Sequence, residues 1–202
     1  MANSNAKFIE DIAGYVKKLA PKYGILVYSP IIAQAVLESA SGTSELAVNA
    51  NNYFGLKYRK GRCPTSSGVY NKIGSEQNPD GSYVSSNMQW FKFPSMEAGV
   101  NGYFDFINIS NYANLKGVTT PEQYLKNIKD DGYATSNKYV ANLLNVIDKN
   151  NLTRFDPKPE SQKYDTLYRV QVGAYSVKKN AEAMLAKLKK AGFDGFIVES
   201  KK

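Results

Sequence analysis

The run Ser29-Pro30-Ile31-Ile32-Ala33-Gln34-Ala35-Val36-Leu37-Glu38-Ser39 constrains the fold more than any other stretch of this chain. Ser29 followed by Pro30 reads as a helix start, with serine at the cap and proline at the first helical position, where its fixed φ and missing N–H do no harm. The residues that follow are apolar nearly all the way round, and a helix of that kind has to be covered on every side. It is therefore expected at the centre of the molecule. Gly42 closes it, and Thr43-Ser44-Glu45-Leu46 reads as one further short turn of helix. Two polar side chains interrupt the apolar surface. Gln34 and Glu38 lie four residues apart and so share a face.

The other elements arrange themselves around this one. Phe8, Ile12, Tyr15, Val16 and Leu19 recur at helical spacing after the cap candidates Asn3 to Asn5, until Pro21 stops the pattern. From Asn49 to Pro94 the texture changes to Gly, Asn, Ser and aromatics. Asn78-Pro79-Asp80-Gly81 is a turn, so Ile73 to Gln77 and Ser82 to Met88 are expected to pair as a hairpin. Helical spacing returns from Ser95 with Met96, Val100, Tyr103, Phe104 and Ile107. It returns again after Thr120-Pro121 with Tyr124, Leu125 and Ile128, and then with Tyr139, Val140, Leu143, Leu144 and Ile147. Residues 1–156 thus read as an α+β domain, mainly helical with a small β-hairpin lobe. Residues 157–165, through Pro157-Lys158-Pro159-Glu160-Ser161-Gln162, have linker composition. Residues 166–202 read as a short βαβ unit: strand Tyr168 to Val172, a helix carrying Ala181, Met184, Leu185 and Leu188, and strand Phe193 to Val198. A piece of that size is marginal alone and is expected to dock or dimerise.

Composition enters through what is missing. The chain has no histidine and a single cysteine, Cys63. Ser-His-Asp and Cys-His nucleophile systems are thereby excluded, as are His-based zinc sites and internal disulfides. Cys63 has no histidine to activate it and reads as an incidental thiol. Catalysis, if present, falls to carboxylates, tyrosines, lysines or backbone, and no metal or other cofactor is called for. Glu38 is the carboxylate in an unusual place. Burial disfavours its charged form and raises its pKa, the property a general acid needs near neutral pH. The residue pattern alone leaves two readings open, such an acid or a side chain that reaches solvent at a helix end.

The run Ala33-Gln34-Ala35-Val36-Leu37-Glu38-Ser39, with Gly42 and Ser44 behind it, resembles the A-Q-x-x-x-E-S-x-x-G-x-S signature of the glucosaminidases of glycoside hydrolase family 73. Further matches follow in order: Asn51-Asn52-Tyr53-Phe54-Gly55-Leu56-Lys57, then Phe91-Lys92-Phe93-Pro94-Ser95 leading to Gly102-Tyr103-Phe104-Asp105-Phe106, then Gly132-Tyr133-Ala134-Thr135 with Tyr139. The resemblance spans residues 7 to 156. It implies a lysozyme-like fold, an endo-β-N-acetylglucosaminidase acting on peptidoglycan, and Glu38 as its catalytic acid. It also places a second carboxylate in the β lobe, for which Glu76 is the candidate. The pair would stand roughly 5 to 9 Å apart, depending on stereochemical outcome. Asp80, which serves the turn, and Glu45, on an exposed helix, are the competitors. Tyr133 and Tyr139 match the family's tyrosine motif and are candidates to stabilise the reacting sugar, or to pack a helix end. Gln34, Ser39, Asn52, Tyr53, Phe54, Trp90 and Phe91 are the substrate-binding candidates. Trp90 and Phe91 offer faces to sugar rings, and Trp90 reads equally as core.

Tyr168-Arg169-Val170-Gln171-Val172-Gly173-Ala174-Tyr175, with Asn180-Ala181-Glu182-Ala183 and Gly192-Phe193-Asp194-Gly195-Phe196-Ile197-Val198, resembles the first half of a SPOR domain, a binder of peptidoglycan glycan. Two tails associating as a homodimer would complete such a module. The partners expected are peptidoglycan and anionic wall polymers. No nucleic acid is expected, since Lys187, Lys189 and Lys190 lack a groove-reading motif. No membrane span is expected either, since no segment approaches about 18 consecutive apolar residues. Met1 to Lys7 is polar and lacks a secretory signal. The expectation is a protein made in the cytoplasm that acts on the wall, as a phage endolysin does, or one secreted as part of a larger autolysin. The alternatives are a lytic transglycosylase or muramidase of the same fold, and a non-catalytic wall-binding protein. Charge separates the two parts of the chain: the net charge of +8 divides into +3 over residues 1–157 and +5 over residues 158–202. Removing residues 158–202 should lower retention on purified walls at low ionic strength, with the difference fading as salt screens it. Equal retention of the full and shortened chains in a salt series would contradict that expectation.

Overall fold

The computed structural model begins with an amphipathic helix, α1 (Ala2–Leu19), whose residues Phe8, Ile9, Ile12, Ala13, Val16 and Leu19 are buried. It describes residues 2–77, 83–158 and 170–200, with side chains described at 5–72, 87–158 and 170–200. By backbone contacts the chain divides into two units, Met1–Pro159 and Glu160–Lys202. In the first, a 3-10 turn at Ala20–Tyr23 follows α1, and the apolar run then folds as α2 (Ser29–Glu38). Residues Ser29 through Ala35 of α2 are all buried, and the helix packs against its neighbours on several sides, as its composition demands.

Ser29 does not cap this helix but is its first residue. The free N–H groups are satisfied from far along the chain instead. Asp156 Oδ1 accepts from the backbone N–H of Tyr28 at 2.7 Å and of Ser29 at 2.6 Å, while its Oδ2 accepts the Ser29 hydroxyl at 2.7 Å. A carboxylate at a helix N-terminus is favoured by those donors and by the helix dipole. The buried start of α2 could not be left unpaired, and a serine hydroxyl that is itself inside the helix cannot do this work.

A second short helix, α3 (Glu45–Ala50), starts at Ser44, whose hydroxyl accepts from the Ala47 N–H at 3.2 Å. After an irregular aromatic segment comes the β lobe, strands β1 (Gly68–Gln77) and β2 (Tyr83–Lys92). They pair antiparallel from Gly68↔Lys92 to Gln77↔Tyr83, a longer ladder than the expected one. The turn at Asn78 to Gly81 lies outside the described residues. At the root of the hairpin the irregular segment adds an edge. Tyr58 N–H donates to Gln89 O at 2.8 Å and Phe91 N–H to Leu56 O at 3.0 Å.

Three helices complete the domain: α4 (Met96–Ile107), α5 (Pro121–Asp130) and α6 (Tyr139–Lys149). Gly99 of α4 marks a close approach, because a Cβ there would lie 2.1 Å from the Asn51 carbonyl oxygen. Packed on α2 are α1, α5, α6 and the 3-10 turn Leu152–Phe155. The expected lysozyme-like α+β architecture is the one found. In the second unit, α7 (Lys178–Lys190) forms where a helix is expected. Its flanks differ from expectation: Tyr168 and Arg169 lie outside the described residues, and residues 170–175 and 193–198 carry no strand ladder among those described. Val170, Val172, Phe193, Phe196 and Val198 are exposed. Two isolated strands with one helix have too little apolar cover to hold a sheet. No described helix is long and apolar enough to cross a membrane.

Replacing Asp156 with alanine should destabilise the first unit by about 2 kcal/mol, the scale of lost charge-assisted hydrogen bonds. Asp156→Asn, which keeps one acceptor, should lose less. Urea unfolding followed by the fluorescence of the single tryptophan, Trp90, reads this unit directly. An unshifted midpoint in Asp156→Ala would show that the helix start is satisfied in some other way.

Candidate active site

Glu38 is the last residue of α2, and the turn after it determines what it can reach. Ser39 is buried and ties the turn together: its hydroxyl donates to Ala35 O and accepts the Gly42 N–H at 2.8 Å. Ala40, Ser41 and Gly42 then follow with φ of 49°, 55° and 82°, a left-handed run that turns the chain sharply away from the helix axis. The helix body is thus enclosed while its final side chain is exposed at one end.

The carboxyl of Glu38 is nonetheless hemmed in closely enough that desolvation raises its pKa above the ordinary 4.5. Desolvation is the sole cause. Among the described residues, no hydrogen bond or ion pair reaches it to hold the charged form. Gly55 faces it with bare backbone in a left-handed conformation (φ 64°), and a Cβ there would sit 3.6 Å from Glu38 Oε2. Tyr133 and Tyr139 feel its charge.

Both tyrosines are inside an aromatic cluster. The Tyr133 ring stands 6.5 Å from that of Tyr139 and 6.2 Å from that of Tyr103, which in turn lies 4.4 Å from Phe54. Burial pushes both phenols upward in pKa, with Glu38 adding to the effect, so each is a neutral hydroxyl. Their protons differ in use. Tyr133 donates to the Phe54 carbonyl at 2.8 Å, whereas Tyr139 accepts from Gln34 Nε2 at 2.9 Å.

Most of the substrate-binding candidates are wall rather than surface. Gln34 is fully buried, and its amide is engaged by Tyr103 and Tyr139. Ser39 closes the helix end. Asn52 is a buried clasp, donating to Leu56 O and Phe91 O at 3.0 Å each and accepting the Leu56 N–H at 2.9 Å. Tyr53 packs on Phe8 and donates to Asn51 Oδ1, Phe54 packs on Tyr103, and Phe91 lies between Tyr58 and Phe93. The structure places these six side chains inside the protein, where the polar ones have their hydrogen bonds satisfied and the rings of Phe54 and Phe91 pack on other aromatics, so that they support the site's wall. Trp90 alone of the candidates is half-buried, with the Lys57 ammonium 5.9 Å from its ring centroid.

Of the second-carboxylate candidates, Glu76 lies on β1 opposite Val84, and its side chain is outside those described. Asp80 is outside the described residues. Glu45 is already engaged: it accepts the Tyr70 hydroxyl at 2.7 Å and pairs with Lys72 at 2.7 Å, contacts that hold its pKa down and tie α3 to the hairpin. Cys63 is buried, its thiol pushed up to about 12 by desolvation, and unsuited to nucleophilic work. No group of three or more metal-ligating side chains occurs among the described residues. The residues that sequence reasoning missed are Gly55 against the acid, and Tyr103 and Tyr124 behind it. Gly55 stood in a quoted motif without a role. The two tyrosines read as core by spacing, and only their hydroxyls signalled that core positions needed polar partners.

Residues 13–152 match the family model described as mannosyl-glycoprotein endo-beta-N-acetylglucosaminidase. The chain belongs to this glucosaminidase family. A SPOR domain model matches residues 122–199, overlapping α5 and α6 of the glucosaminidase unit. The glucosaminidase chain is 30% identical over 162 residues to a probable N-acetylmuramidase of Lactococcus lactis subsp. lactis, covering 76% of this chain and 35% of the relative. It is 25% identical over 155 residues to the exo-glucosaminidase LytG of Bacillus subtilis, covering 74% of this chain and 52% of that one. It therefore spans between a third and about half the length of these relatives. Among solved structures, the catalytic domain of the autolysin Auto from Listeria monocytogenes superposes with a TM-score of 0.65 at 26% identity, over 76% of this chain and 88% of that domain.

The raised pKa of Glu38 has a consequence for stability. Folding binds its proton more tightly, so the carboxyl costs nothing below its unfolded value of 4.5 and destabilises the fold as pH rises through the folded value. Glu38→Gln should therefore melt above wild type at about pH 8 and together with it at about pH 4. Parallel melting curves across that range would mean that the carboxyl is not desolvated.

Proposed function

We propose that this glucosaminidase is a peptidoglycan hydrolase that cleaves the β-1,4 bond after N-acetylglucosamine, with Glu38 as general acid. The observation that carries the reading is Glu38 itself: exposed at the end of a buried helix, desolvated, and without a partner among the described residues to hold it ionised. The protonated carboxyl donates to the bridging oxygen, the bond from C1 to that oxygen breaks, and the departing sugar leaves as an alcohol. Water adds to C1 and its proton passes to a second carboxylate, a role we give to Glu76 on the hairpin. The lone pairs of the neutral Tyr133 phenol, whose proton is held by Phe54 O, face the positive charge that grows on the sugar. Tyr139 stands with it in the tyrosine pair, and the open face of Trp90 stacks on a ring.

We further propose that residues 1–156 are the catalytic domain, that 157–165 link, and that the basic 166–202 unit holds the enzyme on glycan and anionic wall polymers, two such units pairing to complete the module. The SPOR match and the exposed Val170, Val172, Phe196 and Val198 support that reading. The relatives' names divide between a muramidase and a glucosaminidase, so bond choice is the point to test.

Purified peptidoglycan digested, reduced with borohydride and read by mass spectrometry should yield fragments with reduced glucosamine ends. Reduced muramic ends would reassign the enzyme as a muramidase, and anhydro ends as a lytic transglycosylase. Glu38→Gln should lose at least about a hundredfold in rate. Undiminished lysis by that variant would leave only a wall-binding role.

A further inference from the structure

The burial of Gln34 removes it from the substrate, and the direction of its hydrogen bonds gives it a different task. A phenol has one proton, an amide oxygen only accepts and an amide nitrogen only donates. Tyr103 on α4 donates to Gln34 Oε1 at 2.7 Å and so spends its proton there. The 2.9 Å contact between the Tyr103 and Tyr124 hydroxyls must then have Tyr124, on α5, as donor. On the far side, Gln34 Nε2 donates to Tyr139 on α6 at 2.9 Å. Tyr139 is an acceptor in that bond, and its own proton remains uncommitted. The four groups thus form a chain that runs one way, from Tyr124 through Tyr103 and Gln34 to Tyr139.

Nothing about this chain is loose. Tyr103, Tyr124 and Gln34 have no exposed surface and Tyr139 has 5%, so water does not substitute for any link. Among the described residues the Tyr139 O–H has no acceptor of its own, while the Tyr133 proton is held by Phe54 O. Glu38 follows Gln34 by one turn on the same face of α2, so the hydroxyl that Gln34 holds lies in the neighbourhood of that carboxyl. The Glu38 charge adds to the upward shift of Tyr139. The amide of Gln34 is what sets the direction. Turned over, it would draw the Tyr139 proton onto Oε1 and reverse every bond behind it.

We propose that Gln34 is a positioning residue that orders this one-way chain of hydroxyls so that its last proton, on Tyr139, is presented to Glu38 and the bond Glu38 acts on. The inference rests on the assignment of Glu38 as the acid. Once Glu38 has given up its proton, it is a carboxylate in a desolvated place with no partner among the described residues, and a directed phenol proton is what offsets that charge as the leaving group departs.

The test uses the full chain with Gln34→Met, Tyr139→Phe, the double variant, Gln34→Glu and Glu38→Gln, assayed for kcat and KM on purified peptidoglycan. Gln34→Met keeps the volume and removes both bonds. It and Tyr139→Phe should each lower kcat roughly 10- to 100-fold with KM little changed, and the double variant should be no slower than Tyr139→Phe. Losses that multiply in the double variant would overturn the proposal, since Gln34 would then act on packing and not through Tyr139. In Gln34→Glu the neutral carboxyl accepts from Tyr103 and donates to Tyr139, the native direction, whereas the ionised carboxylate accepts at both ends. That variant should keep its activity at low pH and lose it as the new group ionises, a limb absent from wild type. Glu38 on α2 is the other acidic group facing it, because Tyr103, Tyr124, Tyr133 and Tyr139 are all pushed upward by burial. A profile parallel to wild type would overturn the proposal. If Gln34→Met does not fold, the Gln34→Glu profile decides alone. Full activity in Glu38→Gln sinks the acid assignment and this chain with it, whereas an inactive Glu38→Gln beside multiplied losses sinks the chain of hydroxyls only.

Discussion

The first unit is arranged around enclosing a helix that is apolar nearly all the way round. Because α2 is covered by α1, α5, α6 and the 152–155 turn, the chemistry it can present is confined to its last residue, where the left-handed turn at Ala40 to Gly42 leaves Glu38 at the edge of the core. A carboxyl in such a position is reachable yet poorly solvated. That combination is what the proposed general acid requires, and it arises from packing, with no charged neighbour tuning the group among the described residues.

Enclosure of a helix also creates obligations. The buried N–H groups at its start have to be met, and Asp156 meets them from the end of the same unit, which fixes Leu152–Phe155 against the helix start. The buried amide of Gln34 has to be met, and tyrosines of α4 and α6 converge on it, with Tyr124 of α5 bonded in turn to the first of them. These polar contacts hold α4, α5 and α6 in one register around α2, with Tyr139 bonded one turn before Glu38. Satisfying the core and building the site are one arrangement here.

The β lobe depends on a different device. Glu45 on α3 binds Tyr70 and Lys72 of β1, and Asn52 holds Leu56 against Phe91 of β2, so the root of the hairpin is fixed to the helical part on both edges. The exposed pair at Glu45 contributes little by itself, whereas the buried Asn52 clasp, with three satisfied bonds, is the stronger hold.

Much of this was legible in the residues. Helical spacing placed α1, α2, α4, α5 and α6, the turn residues at 78–81 called for a hairpin, and an acidic residue at the end of an apolar helix marked Glu38, because those signals depend on neighbours within a few positions. The missing histidines and the lone cysteine excluded whole chemistries for the same local reason. Other features were decided only when distant segments met. Motif residues such as Gln34, Ser39, Asn52 and Phe91 read as sugar contacts, whereas the fold buries their side chains, and Asp156 read only as the last residue of the domain until it reached the start of α2. The segments expected as strands around α7 carry no ladder among the described residues. Sequence by itself determined which side chains must be inside and which chemistry was available. The tertiary structure alone decided which polar atoms met, since a hydrogen bond between residues more than a hundred positions apart leaves no periodic trace in the chain that makes it.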